Sequence, residues 1–391
     1  MTHHRAAAFP VGYHTLHPDV SINFQMNRFY NWVGEPLMLE ELRAAAGRID
    51  TYEDLRHEVL ALAEQALAAG RTLAGAYYLR LAEFFIFAED PAKGTVRQRF
   101  LDLVRASYGI RASDRIGIPY QKARLWAYRF TAQRALGTLV IFGGFDSYLE
   151  EWFPMFEWLR DAGYDVIAFE GPGQGAVLED ERLAMTEAWD RPVRAVLDHF
   201  QVDDVTLIGL SLGGGLVVKA AAGEPRVRRV VAVDILADFL EVVLRQASPI
   251  VRAGVKLLLH LKAAGVVDML VRAVMRRSRV IDWGVRQGMH VFGVRSPYAF
   301  FAAARRFNTR SASRQITQDC LLLAGADDHY VSVGQLHEQI GRLTRARSIT
   351  ARIFTAHESA QNHCQVGNLS LVLDVVVNWV QLTTRGASAA Q

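Results

Sequence analysis

The chain has 391 residues, of which 51% are hydrophobic and 22% charged, and its formal net charge is +3. This composition can bury a sizeable core and excludes a disordered chain, and two cysteines exclude a scaffold built on disulfides. The small net charge, without a basic stripe interleaved with aromatic residues, argues against nucleic acid as a partner. The length predicts two or three structural units.

The apolar segments of the sequence are short or interrupted by charges. The first residues lack the long apolar stretch of a secretory signal. The most apolar long stretch, residues 251–275, contains charged side chains that a membrane span would exclude, among them Arg252, Lys256, Asp268 and Arg272. We therefore expect a cytoplasmic protein with no membrane partner.

The first third of the chain has a helical pattern. Apolar residues recur at helical spacing from Leu55 to Leu67, after a cap at Asp50 or Thr51. Similar patterns cover residues 76–88 and 96–108. We expect residues 1–120 to form a helical domain that packs on the rest of the molecule.

Strand and helix patterns alternate from about residue 121. The strands are short apolar runs followed by helical patterns, which is typical of a mostly parallel sheet covered by helices on both faces. Between residues 236 and 316 the alternation stops and the pattern is helical. The sequence therefore predicts an α/β core over residues 121–235 and 317–391, interrupted by a helical cap over residues 236–316.

A G-x-S-x-G motif stands between a predicted strand and a predicted helix. Gly209, Ser211 and Gly213 form this motif after the apolar run that ends at Ile208. A tight turn of this kind raises the serine above the sheet edge and is typical of the α/β-hydrolase fold. We expect Ser211 to be a nucleophile and the N–H of Leu212 to be one donor of an oxyanion hole.

The acid partner is expected in a loop after a later strand, because acid and base follow the serine in this fold. The strand that begins at Cys320 leads into a loop with two candidates, Asp327 and Asp328. The G-x-x-D spacing from Gly325 favours Asp328, and Asp327 reads more simply as a turn or solvated residue. His329 adjoins the acid and is therefore a poor base, so we expect it to line the site.

The base is expected after the last strand, residues 348–354. Two histidines compete there, His357 and His363. His363 stands just before the final helix, where the base of this fold usually lies, whereas His357 follows the strand closely and reads as a packing or rim residue. We favour His363.

The loop after an early strand supplies the second oxyanion donor in this fold. The Gly143-Gly144-Phe145 segment follows the apolar run of residues 138–142, and its glycines permit close backbone approach. The N–H of Phe145 is the candidate donor. Gly144, Asp146, Tyr148 and His329 are candidate substrate contacts, and Asp146 reads equally well as a cap for the helix that follows.

Four motifs together resemble a branch of this fold, the 2,6-dihydroxypseudooxynicotine hydrolase group. That group includes fungal polyketide-shortening hydrolases of pigment pathways and, more distantly, the fermentation–respiration switch protein. The resemblance covers most of the chain and is carried by residues 143–151 (GGFDSYLEE), 169–175 (FEGPGQG), 328–331 (DHYV) and 363–365 (HCQ). Glu170 departs from the fold's common aspartate, and we expect no catalytic consequence because that residue usually supports the loop.

The resemblance implies a triad of Ser211, Asp328 and His363, which agrees with the choice from loop positions. It also implies hydrolysis of a carbon–carbon bond next to a ketone in an aromatic or polyketide-type small molecule, in a protein that forms homodimers. We expect no cofactor and no metal. The same machinery cleaves esters and thioesters of bulky acyl groups, so a carboxylesterase or thioesterase is the alternative.

Overall fold

The structure, a computed structural model, describes the backbone of residues 9–389 and the side chains of residues 9–384. The described chain begins with the helices α1 (Val20–Val33), α2 (Pro36–Ala46), α3 (Tyr52–Ala68), α4 (Thr72–Phe84) and α5 (Ala92–Ser107). Asp19 starts α1 by accepting two backbone N–H groups, and Thr51 forms a capping box with Asp54 at the start of α3. Of the two caps predicted for α3, the structure uses Thr51.

An eight-stranded sheet forms the centre of the described molecule. Its strands are ordered β1-β2-β4-β3-β5-β6-β7-β8; β2 is antiparallel to both of its neighbours, β1 and β4, and all other neighbouring pairs are parallel. The predicted α/β class with a mostly parallel sheet is confirmed. The strand bounds are β1 (Ile116–Tyr120), β2 (Ala123–Phe130), β3 (Thr138–Phe142), β4 (Asp165–Glu170), β5 (Val205–Leu210), β6 (Val227–Val233), β7 (Asp319–Gly325) and β8 (Ser348–Phe354).

The first strand differs from the sequence-based expectation, which assigned residues 1–120 to the helical domain. Residues 116–120 instead pair with β2 in the sheet. Gly117 and Pro119 make this run unlike the apolar runs of the buried parallel strands, and a proline is tolerated here because the strand lies at the sheet edge. The sheet therefore begins before residue 121, and the last N-terminal α-helix ends at Ser107.

The two faces of the sheet belong to two different apolar clusters. Along β3, Leu139 and Ile141 pack in the cluster that contains the N-terminal helices, whereas Val140 and Phe142 pack in the cluster that contains the cap. Alternate side chains of a strand point to opposite faces, so the buried strands are apolar on both. The core helices between β3 and β6 are α6 (Phe153–Asp161) after β3, α7 (Gly175–Glu179) and α8 (Asp190–Phe200) after β4, and α9 (Leu212–Gly223) after β5.

The segment between β6 and β7 is helical, in agreement with the pattern of residues 236–316. Its helices are α10 (Phe239–Val243), α11 (Pro249–His260), α12 (Ala264–Met275), α13 (Arg279–Val291), α14 (Pro297–Ala304) and α15 (Arg310–Ser313). Trp283 joins this cap to α4, because its ring stacks 4.6 Å from Phe84 and its Nε1 donates a hydrogen bond to the Phe84 carbonyl at 3.0 Å. The cap therefore contacts the N-terminal helices as well as the sheet.

The chain ends with α16 (Val333–Arg342) and α17 (Leu369–Ala389). The sequence predicted the last helix from residue 366, but Gly367 has a φ of 117°, which a helix does not allow. Short 3-10 turns occupy residues 112–114, 149–152, 356–358 and 363–365. In the part of the chain that the structure describes, no single helix is long and apolar enough to cross a membrane; residues 356–365 and 369–384 reach that criterion only as a pair bent by 78°.

Candidate active site

Ser211 lies at the turn between β5 and α9, above the edge of the parallel sheet. Its φ of 59° is rare for a residue with a side chain, and its N–H donates to the Val233 carbonyl at 2.6 Å. A Cβ on Gly209 would lie 2.0 Å from the carbonyl oxygen of Gly213. The G-x-S-x-G spacing therefore has a steric cause, because the strand and the helix can approach this closely only where both flanking residues are glycines.

The structure brings Ser211, His363 and Asp328 into one hydrogen-bonded chain. Nε2 of His363 lies 2.8 Å from Oγ of Ser211, and Nδ1 of the same ring lies 2.6 Å from Oδ2 of Asp328. All three come from loops at the carboxyl ends of β5, β7 and β8. The arrangement can pass a proton from the serine hydroxyl to the imidazole while the carboxylate holds the ring in one orientation.

The competing candidates lie outside this chain of contacts. Asp327 is exposed and only its backbone N–H is engaged, with the Gln361 carbonyl. His357 is exposed on the 3-10 turn after β8. Asp328 is buried, and its Oδ1 accepts the N–H groups of Tyr330 and Val331 at 2.7 and 2.9 Å. The loop after β7 therefore fixes the Asp328 carboxylate before it contacts the imidazole.

Electrostatics at the triad favour an ion pair between His363 and Asp328. Burial opposes the charged form of both groups, but the Asp328 carboxylate outweighs it and raises the pKa of His363 well above its usual value. In the same way, His363 outweighs burial and holds the pKa of Asp328 below its usual range. The carboxylate thus stabilises the imidazolium that forms when the serine loses its proton.

A second buried carboxyl group, Asp234, lies behind His363 and was missed from the sequence. One of its oxygens lies 3.7 Å from Nδ1 of His363 and accepts the N–H of Cys364 at 2.9 Å, and the other bonds Gln365. Burial, together with the nearby Asp328 carboxylate, raises the pKa of Asp234 to about 8. Asp234 follows β6 directly, so the rule that strand ends carry site residues could have found it.

The opposite side of Ser211 is formed by the loop after β3. A Cβ on Gly144 would lie 2.8 Å from the Leu212 nitrogen and 3.0 Å from Cβ of Ser211, so only glycine allows this approach. The loop and the first residue of α9 therefore lie side by side. Among residues 9–389, no acceptor pairs with the backbone N–H of Phe145 or Leu212. Both N–H groups are free to bind an oxyanion.

Gln174, from the Gly-Pro-Gly-Gln-Gly motif, holds the back of this loop. Its buried side-chain Nε2 donates to the carbonyl oxygens of Gly143 and Gly144 at 2.5 and 3.2 Å, and its Oε1 accepts the Gly171 N–H at 3.0 Å. The carbonyl of Gly144 and the N–H of Phe145 belong to one planar peptide and point in opposite directions. Gln174 therefore fixes the orientation of the candidate oxyanion donor.

The N-terminal helices clamp the same loop with charged side chains. Arg28 of α1 pairs with Asp146 at 3.0 Å and with Glu151 at 2.6 Å. Arg80 of α4 pairs with Glu151 at 2.5 Å and donates to the Asp146 carbonyl at 2.5 Å. Arg80 is 1% exposed and Glu151 is fully buried, so water screens this network little. The Asp146 side chain therefore forms an ion pair with Arg28 of α1 and does not cap the helix that follows.

The remaining candidate substrate contacts lie around the site in different settings. Tyr148 is buried, and its hydroxyl donates to Glu83 at 2.9 Å. His329 packs against the rings of Phe24 and Tyr330, at 4.8 and 3.9 Å. Gly144 contacts the serine turn, and Asp146 contacts Arg28. Their role as substrate contacts stays a prediction.

Glu170 supports the loop as expected of this position. It accepts the N–H groups of Leu149 and Ala176 at 3.2 and 2.9 Å, and burial raises its pKa to about 7. The replacement of the usual aspartate thus leaves the supporting contacts in place.

One group of side chains near the triad has the composition of a metal site. Ligand atoms of Asp234, His363 and Cys364 lie within 4.8 Å of one another. Each is already engaged, since His363 bonds Asp328, Asp234 bonds Gln365, and the Cys364 sulfur donates to the Val233 carbonyl. The hydrogen bonds around His363 therefore already account for the placement of these three side chains.

Comparisons with known proteins agree with this geometry. Residues 137–358 match the family model described as the alpha/beta hydrolase fold. The chain is 28% identical over 324 residues to "Hydrolase acrC" of Aspergillus aculeatus, covering 71% of this chain and 74% of that protein. It is 28% identical over 272 residues to "Hydrolyase poxO" of Penicillium oxalicum, covering 61% and 63%.

Two solved structures share the whole architecture. The 2,6-dihydroxy-pseudo-oxynicotine hydrolase superposes with a TM-score of 0.62 at 19% identity, covering 90% of this chain and 94% of that one. The protein AbyA5 superposes with a TM-score of 0.63 at 17% identity, covering 95% and 99%. At these identities the likeness shows the fold. Together the matches confirm the resemblance that the motifs indicated, and the chain is a hydrolase that belongs to the alpha/beta hydrolase fold family.

Proposed function

We propose that the protein is a serine hydrolase that cleaves a carbon–carbon bond next to a ketone in an aromatic or polyketide-type small molecule. Ser211 is the nucleophile, His363 the base and Asp328 the acid that orients the base. The observation that carries the proposal is the unbroken chain of 2.8 and 2.6 Å contacts through the His363 ring. The free N–H groups of Phe145 and Leu212 on the other side of Ser211 support it.

The proposed reaction begins with attack on the ketone. Oγ of Ser211 bonds to the carbonyl carbon as His363 takes its proton, and the carbonyl electrons move onto oxygen. Phe145 and Leu212 donate hydrogen bonds to this oxyanion. The tetrahedral intermediate then collapses, the carbon–carbon bond breaks, and the leaving carbanion or enolate takes the proton from His363. Water, deprotonated by His363, attacks the acyl-enzyme and releases a carboxylic acid.

Aromatic side chains from α1 and from the cap lie close to the proposed reaction centre. The buried ring of Phe24 on α1 lies 6.2 Å from the His363 ring. On the other side, Phe145 lies 5.5 Å from Phe239 of the cap. An aromatic wall from each helical region meets the core here, which excludes water and strengthens the electrostatic contacts inside. The choice of a ketone over an ester comes from the resemblance of the four motifs.

A substitution with a matched control tests covalent catalysis. Ser211→Ala is expected to lower kcat by about 10⁴-fold or more, and Ser311→Ala, a change on the exposed surface of α15, should leave it unchanged. Mass spectrometry of the quenched wild-type enzyme should show an acyl adduct on the peptide that contains Ser211. Full turnover by Ser211→Ala would rule out this serine as the nucleophile.

A substrate panel distinguishes ketone cleavage from the alternative, a carboxylesterase or thioesterase for bulky acyl groups. Aryl β-diketones, matched p-nitrophenyl esters and acyl thioesters are compared by kcat/KM with the same enzyme preparation. We expect the diketones to be the better substrates. Ester or thioester turnover far above any diketone cleavage would overturn the carbon–carbon assignment and leave the serine mechanism intact.

Two further features belong to this proposal. We propose that the helices α1 to α5 and the cap over residues 236–316 close the site from two sides, over a core that begins with β1 and continues over residues 121–235 and 317–391. The homodimer and the cytoplasmic location stay predictions of the sequence. Light scattering of the purified chain tests the former.

A further inference from the structure

A cavity of about 380 Å³ lies between the start of the cap and the loop that follows β7. Arg245 and Arg252 line it from the cap, and Tyr330 lines it from the loop. A volume of this size holds part of a small-molecule ligand. The reaction steps proposed for Ser211 use no residue that lines this cavity.

In the described part of the chain, the carboxylates around the cavity have counter-ions, and the arginines do not. Its two carboxylates are already paired with cations, Glu241 with Lys256 and Glu338 with Arg342. The two arginines are different. Among residues 9–384, no carboxylate lies within ion-pair distance of Arg245 or Arg252, and Nε of Arg252 donates only to a backbone carbonyl, at 3.1 Å. The wall of the cavity therefore carries positive charge without a protein counter-ion.

Arg245 also has a buried donor without an acceptor. Its Nη1 is hidden from solvent and has no hydrogen-bond partner among the described residues. Nε2 of His329, the residue next to the acid, also has no hydrogen-bond partner among the described residues. Burial, opposed by Asp328 and helped by the positive charges of His363 and Arg245, lowers the pKa of His329 to about 4, so its ring is neutral and Nε2 donates or accepts according to the tautomer. A buried donor left unpaired is costly, so Nη1 of Arg245 points to an acceptor supplied by a ligand.

The cavity lies one side chain away from the triad. Tyr330 lines the cavity, and its ring lies 5.1 Å from that of His363 and 3.9 Å from that of His329. Tyr330 is therefore the side chain that separates this cavity from the triad. The substrate itself is therefore the candidate that would supply the acceptor for Nη1 of Arg245.

We propose that this cavity binds a carboxylate carried by the substrate, with Arg245 as its ion-pair partner. The proposal rests on the proposed function, since it assigns the substrate of Ser211 an anionic group away from the reacting carbonyl. A guanidinium binds a carboxylate through two parallel N–H···O bonds, which gives direction as well as charge. Arg252, at the same wall, adds positive charge and is a weaker contributor because its Nε is already engaged.

Paired substrates test the carboxylate site. p-Nitrophenyl hexanoate and the mono-p-nitrophenyl ester of adipic acid share the reacting ester and differ by a terminal carboxylate. The wild type should prefer the adipate ester by about tenfold in kcat/KM, the ratio that about 1.4 kcal/mol of an ion pair gives. Arg245→Gln should bring the ratio close to one, and Arg245→Lys should retain part of it. Arg277→Gln, on the exposed end of the cap, is the control that should keep the wild-type ratio. A preference that survives Arg245→Gln would overturn the proposal.

A binding measurement keeps this test separate from that of the proposed function. Hexanoate, hexanamide and inorganic phosphate are titrated calorimetrically into the Ser211→Ala variant. We expect hexanoate to bind more tightly than the other two, and Arg245→Gln in the same background to remove that difference. If the wild type cleaves neither the diketones nor the esters but hexanoate binds through Arg245, the proposed function fails and the carboxylate site stands. Equal binding of hexanoate and hexanamide, or tighter binding of phosphate, would overturn the carboxylate site.

Discussion

The two sides of Ser211 are built from different parts of the chain. The acid–base side consists of Asp328, His363 and Asp234, which all follow strands of the central sheet. The oxyanion side combines the first residue of α9 with the loop after β3, and that loop is held by side chains from α1 and α4, more than sixty residues earlier in the sequence. The chemistry thus has one half that the core supplies alone and another half that depends on the N-terminal helices.

This difference has a physical reason. A carboxylate and an imidazole hold one another by a short, charged contact, so a pair of loops is enough to fix them. A backbone N–H carries no side chain that could orient it, and its direction must be set by what binds the neighbouring carbonyls. Gln174 and Arg80 perform that task here. Substitutions can therefore perturb one side of Ser211 at a time.

The largest effect is expected on the acid–base side. Asp328→Asn should keep the packing but favour the wrong tautomer of His363, and kcat should fall by about 10⁴-fold. Asp327→Asn, the same change one residue away on the surface, should alter kcat less than twofold. Steady-state kinetics of the two purified variants provide the measurement, and equal losses would mean that the loop after β7 matters as a whole.

On the oxyanion side, breaking the buried clamp should reduce stability and activity together. Arg80→Gln removes a buried cation that pairs with both Glu83 and Glu151 and leaves Glu151 with Arg28 alone among the described cations, and we expect the free energy of unfolding to fall by about 3–5 kcal/mol. Arg99→Gln removes an exposed ion pair with Glu64 and should cost less than about 1 kcal/mol. Urea unfolding monitored by tryptophan fluorescence compares them. Similar losses in both variants would contradict a structural role specific to the clamp.

A milder change on the same side isolates the oxyanion donor. Gln174→Met keeps a side chain of similar length but cannot donate to the Gly144 carbonyl, so the Phe145 N–H loses its fixed direction. We expect kcat to fall by about 10- to 100-fold with little change in KM. Gln98→Met, on the exposed face of α5, is the control. A rise in KM at constant kcat would indicate a role in substrate binding instead.

The smallest effect concerns the second carboxyl group behind His363. Because the pKa of Asp234 is raised to about 8 in the folded protein, the folded state holds a proton that the unfolded chain releases near pH 4. Asp234 therefore contributes stability at low pH that is lost as the pH rises from about 4 to about 8. Asp234→Asn removes this penalty, so its stability relative to wild type should increase across that range by about 1 kcal/mol or more. Unfolding curves at pH 5, 6, 7 and 8 measure the trend; a constant difference would show that Asp234 is ionised throughout.

The sequence indicated Ser211, Asp328 and His363 because each follows a strand, but it missed Asp234, which also follows one. The G-x-S-x-G turn and the loops with Asp328 and His363 could be read from local patterns, and so could the parallel strands. The clamp could not, because nothing in the spacing of Arg28 or Arg80 distinguishes them from the arginines of a solvated helix face. β1 was missed for a related reason, since an edge strand with glycine and proline has no clear apolar period.

The buried clamp also bears on how such a chain can be recombined with its relatives. A chimaera that takes the N-terminal helices from one protein and the sheet from another keeps the clamp only if its loop carries carboxylates at the positions of Asp146 and Glu151. Where the loop lacks them, Arg28 and Arg80 are buried without counter-ions, which strongly destabilises the fold. A workable crossover must therefore carry the loop of residues 143–151 together with α1 and α4. The loop and the two helices would therefore have to be exchanged together, although they are not contiguous in the sequence.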